Sequence, residues 1–258
     1  MISFDNTEIA FQGKSKKDLN RAYWLYKLLS SNTLVKLSPV LMNVALFFKI
    51  PILKIIKATI YKHFCGGESI EDSQKTIEKL NKYRIGTILD YSVEGQESEV
   101  NFNIAMQETI ATIERAAGDP RIPFSVFKIT GVGRFFLLEK LNSKTTLTQE
   151  EKEEYERVKI RIDKICRQAK KLNVPIFIDA EESWIQNVID EIATTMMRKY
   201  NKEVPIIYNT LQMYRWDRLD YLKKCYEDAE KQKYFLGLKL VRGAYMEKER
   251  ERAKKLEY

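Results

Sequence analysis

Pro175-Ile176-Phe177-Ile178-Asp179-Ala180-Glu181-Glu182 decides how the rest of the chain is read. Three apolar residues suited to a strand end abruptly on a carboxylate, and the next run, 183–200, has helical spacing. Upstream lies a long charged helix, about 148–172, opened by Thr148 with Glu151 three positions on, the pattern of a capping box. Helix, short apolar strand, polar strand end, helix: this unit recurs on both sides.

Working outward, similar runs occur at 85–92, 124–129, 204–208 and 235–241, separated by helices at about 97–117 and 215–231, with another opening near Met246. Strands so continuously apolar, alternating with helices, predict a parallel sheet covered on both faces. The count is five β-α units without a detectable sequence repeat, and an open doubly wound sheet and a closed barrel both satisfy it. No Gly-x-Gly-x-x-Gly fingerprint follows the first strand, and Gly131-Val132-Gly133 is only a loop-type pair, which disfavours a dinucleotide Rossmann site.

Before residue 85 the pattern differs. Residues 15–33 read as a helix, a helix at about 70–82 precedes the first strand, and the intervening stretch is apolar but broken by lysines and by Pro39 and Pro51. Its longest charge-free run, Leu37 to Phe48, is too short to span a bilayer. The whole chain carries 44 Lys+Arg against 36 Asp+Glu, a formal charge of +8. Residues 1–65 hold ten of those cations and three of the acids, so nearly all the excess belongs to this arm. The expected organisation is a helical basic arm over 1–84 and a β/α domain over 85–258. Such a bias can draw a surface to anionic lipid, and with no RNA-binding aromatic motif beside it nucleic acid is not expected as a partner. The polar first dozen residues speak against a secretory signal, and three scattered cysteines suit a reducing compartment. A single histidine, His63, excludes a multi-histidine metal site and most histidine-activated nucleophiles.

The strand ends hold the chemistry: Asp90 and Glu94, Lys128, Asp179 through Glu182, Gln212, and Lys239 through Tyr245. In a parallel barrel such residues converge on one mouth. Lys128 stands among Phe124, Val126, Phe127 and Ile129, so its ammonium needs a polar cavity, a partner or a shifted pKa. It could be a fixed cation for a substrate carboxylate or a Schiff-base nucleophile, and an edge-strand lysine that snorkels to water is the structural alternative.

Taken together these strand ends resemble the proline dehydrogenase family. The carrying pieces are Leu89-Asp90-Tyr91-Ser92-Val93-Glu94, Phe127-Lys128-Ile129-Thr130, Ile178 to Glu182, Tyr208 to Tyr214, and above all Leu238-Lys239-Leu240-Val241-Arg242-Gly243-Ala244-Tyr245. The resemblance implies a TIM-like (β/α)8 barrel, here incomplete at about five units, that holds FAD without a covalent bond. It implies oxidation of L-proline to 1-pyrroline-5-carboxylate, with electrons passed to a membrane quinone. By position Lys128 would bind the proline carboxylate, and Asp179 and Tyr245 would line the substrate pocket. Ala180 and Gln212 would contact the flavin ring, and Lys239, Arg242, Gly243 and Ala244 would lie beneath the isoalloxazine and pyrophosphate, with no metal. Lys239 stands where many relatives have arginine.

The family's substrate-clamping arginine pair sits on its last helix, and Arg250 and Arg252 lie on a different element. Tyr258 falls inside the helix after the fifth strand, so the chain is expected to be the N-terminal portion of a longer protein, and inactive alone. The expected location is cytoplasmic, with the arm in peripheral contact at the inner face of the membrane. Two rival functions fit the residues: a barrel aldolase working through Lys128, and a non-catalytic basic adaptor for membrane or nucleic acid.

Overall fold

Parallel strands joined by helices can be laid down in one direction or can reverse, and the order decides between barrel and doubly wound sheet. In the computed structural model, which describes residues 5–48, 51–91 and 97–257, the order is β1-β2-β3-β4-β5 without reversal. The chain forms two compact units, residues 1–85 and 86–258.

The first unit is helical: α1 (Thr7–Phe11), α2 (Lys16–Leu29), α3 (Asn32–Phe47), α4 (Ile52–Ile56), a π turn at Lys57–Tyr61, α5 (Lys62–Phe64) and α6 (Ile70–Asn81). Ser15 and Asp18 close a capping box on α2, and the Ser15 hydrogen bonds hold the Asp18 carboxyl down at about 2. The helix expected over 15–33 stops at Leu29 because Ser31 caps a new one, its hydroxyl accepting from the Leu34 amide. Among the described residues, no helix is long and apolar enough to cross a membrane.

The second unit contains β1 (Ile88–Leu89), α7 (Glu99–Ala116), β2 (Phe124–Phe127), a 3-10 turn at Ile129–Gly131, α8 (Phe135–Asn142), α9 (Gln149–Leu172), β3 (Ile176–Ile178), α10 (Ser183–Tyr200), β4 (Ile207–Gln212), α11 (Arg218–Gln232), β5 (Leu238–Val241) and α12 (Met246–Leu256). All four strand pairings are parallel. A right-handed crossover repeated in one direction puts every connecting helix on the same face. Accordingly α7 packs on β2 and α9, and α10 packs on β4, α8, α9 and α11. This is β/α-barrel architecture, not the doubly wound alternative.

Alternation along the strands sorts the side chains. Ile176, Ile178, Ile207 and Leu211 face the helices and are buried against the layer that holds Ile162, Ile165, Ile185, Ile189 and Met197. On the opposite face Phe124 stacks on Phe177 with centroids 4.4 Å apart, and Tyr208 meets both rings edge-on at 5.6 Å. This aromatic floor sits towards the strand starts and leaves the carboxyl ends for polar groups. Arg161 ties α9 to α7 and the loop between them, donating to Asn103 Oδ1 at 2.9 Å, to the Val132 carbonyl at 3.1 Å and to Glu99.

Asn201 joins the starts of β4 and β5. Its Oδ1 accepts from the Ile206 and Ile207 amides, and its Nδ2 donates to the Ile207 and Phe235 carbonyls, all within 3.0 Å. The residue has no solvent exposure, so no water replaces the amide if it is lost. Asn201→Ala is expected to lower the unfolding free energy by about 3–5 kcal/mol, from several buried backbone groups each left unpaired at ~1–3 kcal/mol. Urea unfolding followed by circular dichroism measures it, and a loss under about 1 kcal/mol contradicts this account.

Candidate functional site at the strand ends

Of the described sequence-predicted residues, Asp90, Lys128, Asp179 and Gln212 sit at or just past the carboxyl end of a strand, whereas Lys239 is the second residue of β5 and Tyr245 lies beyond the loop that follows it. Lys128, read as part of the second strand, is the first residue beyond β2 and caps the 3-10 turn, half-buried. The strand stops there because the Gly131 amide turns back to the Lys128 carbonyl at 3.1 Å. Asp179 is the first residue beyond β3; its amide donates to the Phe127 carbonyl at 3.0 Å, and its carboxylate pairs with the Lys239 ammonium. Lys239 also lies 5.0 Å above the Phe177 ring, where the apolar floor gives way to the polar mouth. Gln212, expected to follow the fourth strand, is its buried last residue. Ala180 is buried, whereas Arg242, Gly243 and Ala244 form an exposed loop leading to Tyr245, the N-cap of α12. Glu94, together with Ser92 and Val93, lies outside the described residues.

A cavity of about 380 Å³ opens over these strand ends. Thr130, Glu181, Glu182, Tyr245, Lys248 and Glu97 all line it. The structure thus brings Tyr245 together with three carboxylates that were not assigned a role, Glu97, Glu181 and Glu182, and pairs Asp179 with Lys239. Lys128, Asp179, Gln212 and Lys239 do not border this cavity.

Glu181 was among the strand-end residues picked out from the sequence but was given no role there. Its carboxylate accepts from the Thr130 amide at 3.1 Å and from the Thr130 hydroxyl. Burial pushes its pKa from 4.5 up to about 7, against the Thr130 hydrogen bonds and the Lys128 charge that favour the anion. Neighbouring Glu182 adds to the rise and is itself paired with Lys248 at 2.6 Å. Two adjacent carboxylates directly after an apolar strand were the available signal.

Behind these residues runs a closed ring of polar contacts. The Glu181 amide donates to Gln186 Oε1 at 2.9 Å, and Gln186 Nε2 donates to Asp190 at 2.9 Å. Asp190 also accepts from Asn209 at 3.0 Å and pairs with Arg218 at 2.6 Å, both charges nearly free of solvent. Arg218 continues to Asp217, and Asp217 to Arg215. Burial works to raise the Asp217 pKa, but the two arginines hold it down at about 2. Arg215 Nη1 donates to Gln212 Oε1 at 3.3 Å, and Gln212 Nε2 returns to the Glu181 carbonyl. No spacing rule exposes such a circuit, because its members come from four elements.

The donor set is of the kind that an anionic group, such as the pyrophosphate of the cofactor the resemblance implies, would need. Lys239 and Arg242 supply cations for an anionic group, and at Gly243 an added Cβ would meet only Met246 Cε at 3.7 Å, so the loop backbone is approachable. Arrangement and chemistry together define a β/α-barrel protein with a charged site at the carboxyl ends of its strands.

Comparison with known proteins narrows the class. The family model described as proline dehydrogenase matches residues 73–258. Proline dehydrogenase 1, mitochondrial, of Dictyostelium discoideum is 34% identical over 97% of this chain and 51% of its own length. The protein of the same name in Arabidopsis thaliana is 33% identical over 77% of this chain and 48% of its own. Proline utilization A of Bdellovibrio bacteriovorus, in a structure inactivated by N-propargylglycine, superposes with a TM-score of 0.69 at 18% identity, over 98% of this chain and 27% of that one. The chain belongs to the proline dehydrogenase family, and its fold is of the TIM-barrel type. It spans about half the length of the two curated relatives.

The Glu181 carboxyl gives the fold a pH dependence of unusual sign. Between pH 4.5 and about 7 the native state keeps a proton that the unfolded chain has released. Unfolding free energy therefore falls as pH rises through that window, by up to ~3 kcal/mol from this one group. Glu181→Gln is expected to remove that part of the slope in denaturant unfolding at pH 5 and pH 8. An unaltered slope in the variant refutes the assignment.

Proposed function

We propose that this chain supplies the proline- and FAD-binding part of a proline dehydrogenase, oxidising L-proline to 1-pyrroline-5-carboxylate and passing electrons to a membrane quinone. What supports this reading is that Lys128 directly after β2, Asp179 directly after β3 and paired with Lys239 of β5, and Tyr245 in the loop after β5 all lie on the parallel sheet of the family-matched segment.

The reaction removes two electrons and two protons' worth of hydrogen from a ring carbon and the ring nitrogen. FAD would supply the acceptor for the hydride from carbon, and the proton from nitrogen would leave to solvent. The chain's own residues then have three tasks: hold the carboxylate, present the ring, and keep water out. Lys128 supplies a cation at the mouth, on a turn whose position is set by hydrogen bonds. Tyr245 supplies a wall for the apolar ring, steadied by Lys248 5.4 Å from its centroid. Asp179 is held by Lys239, so its carboxylate is oriented before substrate arrives. Under this reading Ala180 and Gln212 would contact the flavin ring, and Lys239, Arg242, Gly243 and Ala244 would hold the isoalloxazine and pyrophosphate portions. The basic helical unit would meet the anionic surface of the quinone-bearing membrane, from its inner, cytoplasmic face, as a peripheral contact. Trp24 and Tyr23 are exposed there with Lys27 over both rings, a combination suited to a lipid interface.

The purified enzyme should be yellow and bleach on addition of L-proline; a colourless protein that FAD does not reconstitute overturns the reading. Lys128→Ala should weaken L-proline binding by about 1.5–3 kcal/mol, the range for a charged hydrogen bond, or roughly 10- to 150-fold in KM. An unchanged KM would make Lys128 a structural residue.

A further inference from the structure

A carboxylate with almost no solvent exposure is ordinarily met by a cation in direct contact. Glu181 is met instead by two donors from a single residue, the amide and hydroxyl of Thr130, with Lys128 acting through space. Its own peptide is gripped on both sides: the N–H by Gln186 and the C=O by Gln212. Both glutamines belong to the closed polar ring, so the Glu181 backbone cannot shift without breaking contacts to Asp190 or Arg215. At the far end, Thr130 lies in the turn that closes on the Lys128 carbonyl. A rigid path therefore runs from a buried ion pair, through one carboxylate, to the turn that carries the lysine.

We propose that Glu181 is a positioning residue for Lys128: anchored by the ring, its carboxylate holds Thr130 and so sets where the lysine presents its ammonium at the barrel mouth. This rests on the reading of Lys128 as the cation for the substrate carboxylate.

The anchor depends on ionisation. The anion accepts both Thr130 donations as charge-assisted hydrogen bonds; in the neutral acid the amide still donates to one oxygen, but the protonated oxygen donates to the Thr130 hydroxyl instead, and both contacts lose the charge that strengthened them. Burial brings this change to about pH 7. The groups facing Glu181 are Lys128 and Thr130 from the β2 side and Glu182 from its own loop. Lys248 and Tyr245 of the α12 side, and Glu97 and Tyr91 ahead of α7, share the cavity with it. The turn is firm above that pH and loosened below it, and substrate binding follows.

Steady-state kinetics of the flavin-loaded enzyme at pH 6 and pH 8 test this. Glu181→Gln should raise KM for L-proline about tenfold at pH 8, as for the loss of one charged hydrogen bond, with kcat within about threefold. Its KM should no longer change between the two pH values as the wild type's does. Thr130→Ser keeps both donors and should restore the wild-type profile, whereas Thr130→Val should not. A variant KM equal to wild type at pH 8, or one that keeps the wild-type pH profile, overturns the proposal. Should the wild type neither bind flavin nor oxidise proline, the reading of Lys128 fails by itself, and amide exchange on the wild-type chain then decides the anchor. Thr130 and Gly131, corrected for intrinsic rates, should be protected at pH 8 and exposed at pH 6; equal protection at both refutes it.

Discussion

Asp190 holds its charge where almost no water reaches, and everything at the barrel mouth depends on how that charge is answered. Arg218 meets one carboxylate oxygen, while Gln186 and Asn209 share the other. Such a pair adds little net stability, since desolvating two ions offsets most of their attraction. Its effect here is geometric. Because every partner of Asp190 and Arg218 is itself committed elsewhere, the loop after β3 and the end of β4 have one compatible arrangement. That arrangement clamps Gln212 and the peptide of Glu181, and so determines where the site residues lie.

The monotonic strand order makes the ring useful. With all helices on one face, the other face is free to form a floor and a mouth. Phe124, Phe177 and Tyr208, each half-buried, pack together as an apolar floor towards the strand starts, with the polar side chains gathered nearer the carboxyl ends. Lys239 marks the boundary, its ammonium over the Phe177 ring and bonded to Asp179. A shorter side chain at position 239 would not reach past the ring to the carboxylate.

Much of this was legible in the chain, and the gaps have physical causes. The Thr148–Glu151 capping box and the run 183–200 read directly as α9 and α10, because local spacing and local hydrogen bonds define them. The fourth strand was placed too early, at 204–208, because Asn209 and Gln212 look like loop residues. Their polarity is answered by Asp190 and by the Glu181 carbonyl, partners no local pattern shows. The first strand was read too long: among the described residues only Ile88 and Leu89 pair with β2, and Thr87 is tied to the Arg121 carbonyl just before it. Helix α8 was missed because eight residues, four of them an unbroken apolar run, carry no helical alternation. The strand-end residues were visible as types and positions, but not which of them touch.

Charge distribution explains why the site needs such rigidity. Nearly all the +8 lies in the first 65 residues, leaving the barrel unit close to neutral. Under the proposed function the ligand is a zwitterion of zero net charge, which a distant field does not steer, and fields fade within ~8 Å in physiological salt anyway. Recognition must then come from short-range placement: a cation for one end, a wall for the ring, a carboxylate lined up beforehand. Loose side chains would spend binding energy on ordering themselves. A mouth whose lysine turn is anchored through Thr130 and Glu181 to a buried ion pair has done that ordering during folding, so a small uncharged-overall ligand meets groups already in place.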